Sequence, residues 1–235
     1  MAPKKILVVN PNSSKSITDN LEQLVSVPHS YELQFYTAPP EAPKSINNED
    51  DALVSAEICF PALKKRIDES PVDGVLVCCF SDHPLVPMLT KEFPSIKALG
   101  IFQGSLLYSL GLATDDHKFA ILTSNNQWER ILDDSLLDFF YGKGSTIEKR
   151  EKKLPSYCLP TIAANVEVLE LQDPKKFKKL QEKVQKLVDE GAKIILLGCA
   201  GLSGLDLKFK DVFPQVKFVD TVKVGVQFLV PLIEY

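Results

Sequence analysis

The feature that most constrains this 235-residue chain is a repeat of itself. The segment FPSIKALGIF begins at Phe93 and FPQVKFVDTV begins at Phe213, an offset of 213 − 93 = 120 residues. The same offset carries Cys79 onto Cys199 (199 − 79 = 120) and Cys78 onto Gly198. A fixed register shared by a Phe-Pro pair, an apolar run and a cysteine points to two copies of one structural unit. The copies are expected over roughly residues 1 to 112 and 113 to 235, with the C-terminal segment free to cross back to the first lobe.

Each half alternates short β-branched runs with amphipathic segments. KKILVVN (4 to 10), GVLVCCF (74 to 80), IKALGIF (96 to 102), KFAILTS (118 to 124), KIILLGC (193 to 199) and VKFVDTV (216 to 222) read as strands buried on both faces. Helices are predicted from Ser14 to Val25, Glu49 to Ser70, Trp128 to Phe140 and Pro174 to Glu190. In the last, Phe177, Leu180, Val184 and Leu187 recur at core-facing helical spacing. This pattern predicts an α/β chain of two similar parallel-sheet domains related by a pseudo-twofold axis. Two Pro-, Ser- or charge-rich stretches, 37 to 48 and 142 to 160, are long enough to line or cover a site.

Composition narrows the partners. With 27 basic against 31 acidic side chains the chain lacks the basic footprint of a nucleic-acid binder. Its apolar runs fall short of the roughly 18 to 20 residues of a membrane span, and ILVV near the N-terminus is too short for a signal peptide. A cytoplasmic protein is expected, acting on a small molecule, binding neither nucleic acid nor membrane, and forming a homo-oligomer. Five cysteines, without CxxC or a Cys/His cluster at zinc spacing, predict free thiols and no metal.

Ligands of parallel α/β sheets bind at the carboxyl ends of the strands, where Cys79 and Cys199 stand. Two lobes facing one another would put these thiols on opposite walls of a cleft. That arrangement suits removal of a proton from one face of a carbon and its return to the other. A thiol of ordinary pKa about 8.5 serves as base when its thiolate is stabilised and as acid otherwise. Ser81 or Asp82 is expected to cap the helix after Cys79, and Gly201 to Gly204 to offer free backbone N–H groups after Cys199. Cys59, Cys78 and Cys158 read as buried hydrophobes. Asn10 suits either ligand contact or a helix cap, and Thr123 and Ser124 either substrate contact or capping. His83 reads as a loop residue, His29 and His117 as surface positions, and Trp128 as helix packing. Lysines of 149 to 153 and 175 to 186 read as solvated faces.

ILVVNPNSSKSIT, CFSDHPL around Cys79 and LGCAGLSGL around Cys199 together resemble the hydantoin and allantoin racemases of the aspartate/glutamate racemase superfamily, including fungal relatives. The resemblance spans essentially the whole chain. It implies an isomerase in which Cys79 and Cys199 are the catalytic acid/base pair, with no metal or pyridoxal cofactor. Asn10, Phe80, Ser81, Thr123, Ser124, Gly198, Ala200 and Gly201 are the implied substrate-binding positions. Amino-acid racemases of the superfamily carry Cys-Asn-Thr and Gly-Cys-Thr-Glu at these points, whereas this chain has Cys79-Phe80-Ser81 and Gly198-Cys199-Ala200-Gly201. The more apolar pocket fits a five-membered cyclic ureide, allantoin first, which implies a place in purine-nitrogen use. Many relatives have Glu where this chain has Gln103. Two alternatives stay open: an isomerase or decarboxylase of a small dicarboxylate, which needs a cationic clamp that Arg66, Arg130 and Arg150 do not obviously supply, and an inactive ureide-binding protein.

Overall fold

The computed structural model describes residues 2–146 and 151–235. Arg150, residues 149 and 150 of the basic stretch, and residues 147–150 of the loop expected over 142 to 160 lie outside the described residues.

The first unit comprises residues up to Leu107 together with Asp220–Tyr235. Its sheet has the order β2-β1-β3-β4, built from β1 (Lys4–Asn10), β2 (Tyr31–Thr37), β3 (Gly74–Val77) and β4 (Lys97–Gly100), all paired in parallel. The helices are α1 (Lys15–Leu24), α2 (Glu49–Glu69), α3 (Leu85–Glu92) and α4 (Ile101–Leu110), the last running past the edge of the unit. β1 and β3 are buried from Ile6 to Val9 and Val75 to Val77 because helices cover both faces of a parallel sheet. Burial of each such side chain is worth roughly 1.5–3 kcal/mol.

The second unit, Tyr108–Val219, repeats the plan. Its strands are β5 (Lys118–Thr123), β6 (Ile162–Ala163), β7 (Ala192–Leu197) and β8 (Lys217–Asp220), in the order β6-β5-β7-β8. The 120-residue register therefore joins structural equivalents: β3 corresponds to β7 and β4 to β8, at the same places in their sheets. Its helices are α5 (Gln127–Tyr141), α6 (Phe177–Asp189) and α7 (Asp206–Val212). Leu180, Val184 and Leu187 of α6 are fully buried, as the helical spacing predicts. The helix expected from Pro174 opens instead with a 3-10 turn, Pro174–Lys176, capped by Asp173.

Two runs read as strands break into strand and helix. IKALGIF is extended only through Gly100 and VKFVDTV only through Asp220; Ile101 begins α4 and Thr221 begins α8 (Thr221–Glu234). The breakpoint of the second is explicit, since the buried Asp220 carboxylate accepts the N–H groups of Val222 and Lys223, each at 3.1 Å. That is an N-cap, and a charged acceptor at the positive end of a helix strengthens it. Asp220→Ala is expected to lower the unfolding free energy by about 1–2 kcal/mol in urea titrations, with Asp220→Asn recovering part of it.

α8 packs against β3 and β4 of the first unit. A Cβ on Gly225 would stand 2.9 Å from Leu76 Cδ1, and one on Gly104 would stand 3.3 Å from Gly225 Cα, so glycines let α8 approach both the sheet and α4. The far end of the helix is held by Tyr31, whose hydroxyl donates to Glu234, and by Lys4, 3.2 Å from the same carboxylate. No described helix is long and apolar enough to cross a membrane.

Candidate active site

Each unit presents one thiol just beyond its central strand β3 or β7. All five cysteines are free; Cys59, Cys78 and Cys158 are buried, while Cys79 and Cys199 are partly exposed. Burial pushes the Cys59 and Cys158 thiols up to about 12, and drives Cys78 up as well, with Cys79 and Asp220 adding to it. Those three stay protonated and inert.

In the first unit, adjacent residues of an extended chain point to opposite sides, and this separates the two neighbouring cysteines. Cys78 N–H continues the ladder to Val9 O at 2.8 Å, and its sulfur turns inward toward Leu76 O. Cys79 follows, with its sulfur 3.4 Å from Ser81 Oγ. Ser81 does not cap α3, and neither does Asp82. The residue before that helix is Pro84, with no side-chain cap, because Ser81 N–H closes a tight turn onto Cys79 O and keeps the serine beside the thiol. Phe80 is buried edge-on against Phe102, with centroids 5.4 Å apart. Asp82 accepts from Gln103 Nε2 at 3.1 Å.

Asn10 closes the C-terminal end of β1 and is fully buried. Its Nδ2 donates to Asn12 Oδ1, Ser14 O and Thr18 Oγ1 at 3.0–3.2 Å, and its Oδ1 accepts Asn12 N–H. The carboxamide braces the turn into α1 rather than capping the helix end through its oxygen. The 37 to 48 stretch is pinned to this turn: Ser13 N–H bonds Pro43 O and Ser13 Oγ bonds Ala42 O, while Ala38, Ala42 and Ile46 are buried.

In the second unit, Gly198 extends β7 through its N–H to Leu122 O, and Thr123 Oγ1 donates to Gly198 O at 3.1 Å. Cys199 is extended, and a 3-10 turn, Ala200–Leu202, follows it. Burial pushes the Cys199 thiol up to about 11, opposed by the Gly201 N–H, the Ser124 hydroxyl and the Leu202 N–H, all of which favour the thiolate. The buried Ser124 hydroxyl lies near the sulfur without the geometry of a formed hydrogen bond, and has no other partner among the described residues. At neutral pH Cys199 is therefore a thiol, the proton-donating form, with thiolate-stabilising dipoles already in place.

His83 is more enclosed than a loop residue should be. It is fully buried, its Nδ1 accepts Leu85 N–H at 3.3 Å, and Nε2 meets no acceptor among the described residues. His29 and His117 are exposed, and Trp128 is buried in α5. Arg66 donates to Gln34 and Ser70 O, and Arg130 lies beside Asp134. Among the described residues no cluster of His, Cys, Asp or Glu could hold a metal ion. Gln172 carried no signal in the sequence; it approaches the Cys199 loop from 29 residues away.

Residues 6–229 match the model of the Asp/Glu/hydantoin racemase family. Protein DCG1 of Saccharomyces cerevisiae is 33% identical over 252 residues, covering 98% of this chain and 97% of the relative. A hydantoin racemase of Rhizobium meliloti is 27% identical over 203 residues, covering 85% and 77%. Among solved structures, the allantoin racemase from Klebsiella pneumoniae superposes with a TM-score of 0.81 at 22% identity, covering 98% of this chain and 88% of that one.

Proposed function

The chain belongs to the Asp/Glu/hydantoin racemase family, and from that premise we propose that it is a cofactor-independent racemase of hydantoin-type cyclic ureides, with allantoin the first substrate to test. One observation carries the reading. Of five cysteines, the two that are only partly buried are the two at equivalent strand ends of the repeated units.

Racemisation at a carbon flanked by a ring carbonyl and a ring nitrogen needs a base on one face and an acid on the other. Cys79 and Cys199 are assigned these roles, exchanging them when the opposite enantiomer is bound. Loss of the α-proton shifts charge onto the neighbouring carbonyl oxygen, and positioned N–H donors lower the cost of that charge. Around Cys199 the groups that face the sulfur are the main-chain N–H groups of Gly201 and Leu202 and the Ser124 hydroxyl rather than charged side chains. The chemistry of the two cysteine contexts supports an uncharged substrate. Phe80, Ala200 and Gly201 offer no ion partner for a carboxylate, and Arg66 and Arg130 are engaged elsewhere.

Enantiopure allantoin and 5-substituted hydantoins incubated with the protein in deuterated water should lose optical rotation faster than a protein-free control. Each turnover that inverts the centre should leave one deuteron on the α-carbon. Binding of allantoin with no exchange above the control would instead describe a ureide-binding protein and end the racemase reading.

A further inference from the structure

We infer that Gln172 is a positioning residue for Cys199, clamping the loop whose backbone N–H groups face the thiol. Gln172 Nε2 donates to Gly201 O at 2.8 Å and to Ser203 O at 2.9 Å. A peptide unit is planar and trans, so its C=O and N–H point in opposite directions. Holding the Gly201 carbonyl on the Gln172 side therefore turns the Leu202 N–H toward Cys199, where it donates to Cys199 O at 2.9 Å and faces the sulfur. The second bond fixes the end of the same turn at Ser203.

The segment carrying Gln172 also presses on the loop sterically. A Cβ on Gly201 would stand 2.9 Å from Val168 O and 3.1 Å from Leu171 Cδ1, so the loop lies directly on the 168–171 backbone. Leu171 is buried, which fixes the base from which Gln172 reaches outward. Gln172 itself is exposed, so its replacement removes the clamp without opening a core. At the first thiol the neighbouring polar group is the Ser81 hydroxyl, on the same loop as Cys79.

The inference rests on the racemase reading only for its catalytic consequence; its direct readout is the ionisation of Cys199, which needs no substrate. Pulsed alkylation of the full-length protein with iodoacetamide across alkaline pH, resolved cysteine by cysteine through peptide mass spectrometry, compares wild type with Gln172→Met and Gln172→Glu. Methionine keeps the length and loses both donors, whereas glutamate sets a negative charge against two carbonyl oxygens. The Cys199 midpoint is expected to rise by about half a pH unit in Gln172→Met, which is a roughly threefold loss of thiolate at a fixed lower pH, and by about one unit in Gln172→Glu. The Cys79 midpoint should hold still. A Cys199 midpoint that stays put or falls in both variants overturns the inference, as does an equal shift at both thiols, which would mean general loosening. Racemase assays report separately: no turnover in the wild type would sink the proposed function while leaving the alkylation result intact.

Discussion

Cys199→Ser is expected to lower racemisation of either enantiomer by about 10³-fold or more, and Cys79→Ser to do the same. Positioned acid/base groups contribute typically 10²–10⁴-fold, and a serine hydroxyl ionises far less readily than a thiol. The substitution removes little volume, and the thiols are partly exposed, so the unfolding transition should move little. Direction gives a sharper result than rate. Under the proposed two-thiol mechanism, each single variant retains one base. It should still wash deuterium into the enantiomer that the surviving thiol deprotonates, without inverting it, and the two variants should favour opposite enantiomers. The double variant should do neither. Polarimetry combined with label uptake by mass spectrometry reads all of these outcomes. Exchange persisting in the double variant would show that neither sulfur is the base.

Acid should weaken the fold through His83. Burial lowers its pKa to about 4, with Asp82 opposing the shift only in part. The unfolded chain returns the imidazole to about 6.5, so between pH 6.5 and 4 the unfolded state binds the additional proton and stability falls as pH is lowered. The stabilising contribution is fully present above 6.5. Across the window the loss approaches about 3 kcal/mol, since each pKa unit is worth roughly 1.4 kcal/mol and the group has no exposed surface. Protonation has a local cost too, because Nδ1 would have to give up the Leu85 N–H it accepts. His83→Asn offers an oxygen in place of Nδ1 without the titration. Urea unfolding at pH 7, 5.5 and 4.5 should therefore show a shallower acid slope in His83→Asn than in wild type. Parallel slopes would mean that carboxylates alone govern the acid limb.

Some elements leave only a faint mark in the amino-acid sequence, for physical reasons. α4 begins within an apolar run that reads as a strand continuation, because a helix apolar on most sides loses the 3.6-residue contrast that marks an amphipathic one; α8 begins within another such run, at the Asp220 cap. β2 leaves little trace in the sequence because an edge strand is covered less completely: after Tyr31, Glu32 is exposed and the remaining side chains are half-buried, so YELQFYT shows no continuous apolar run. β6 spans only Ile162–Ala163, too short for any periodicity. Ser81 has the residue type of a cap, yet the turn at Cys79 holds it elsewhere.

By itself the sequence determined the duplicated α/β plan and the equivalence of Cys79 with Cys199, because buried parallel strands need apolar runs and a repeat leaves its register in the chain. Only the tertiary structure decided that Ser81 stays beside the Cys79 thiol, that His83 is enclosed, and that Gln172 holds the Cys199 loop. Run and register are properties of neighbours along the chain. Burial and hydrogen bonding depend on which distant segments meet, and a clamp closing over 29 residues leaves no local pattern to read.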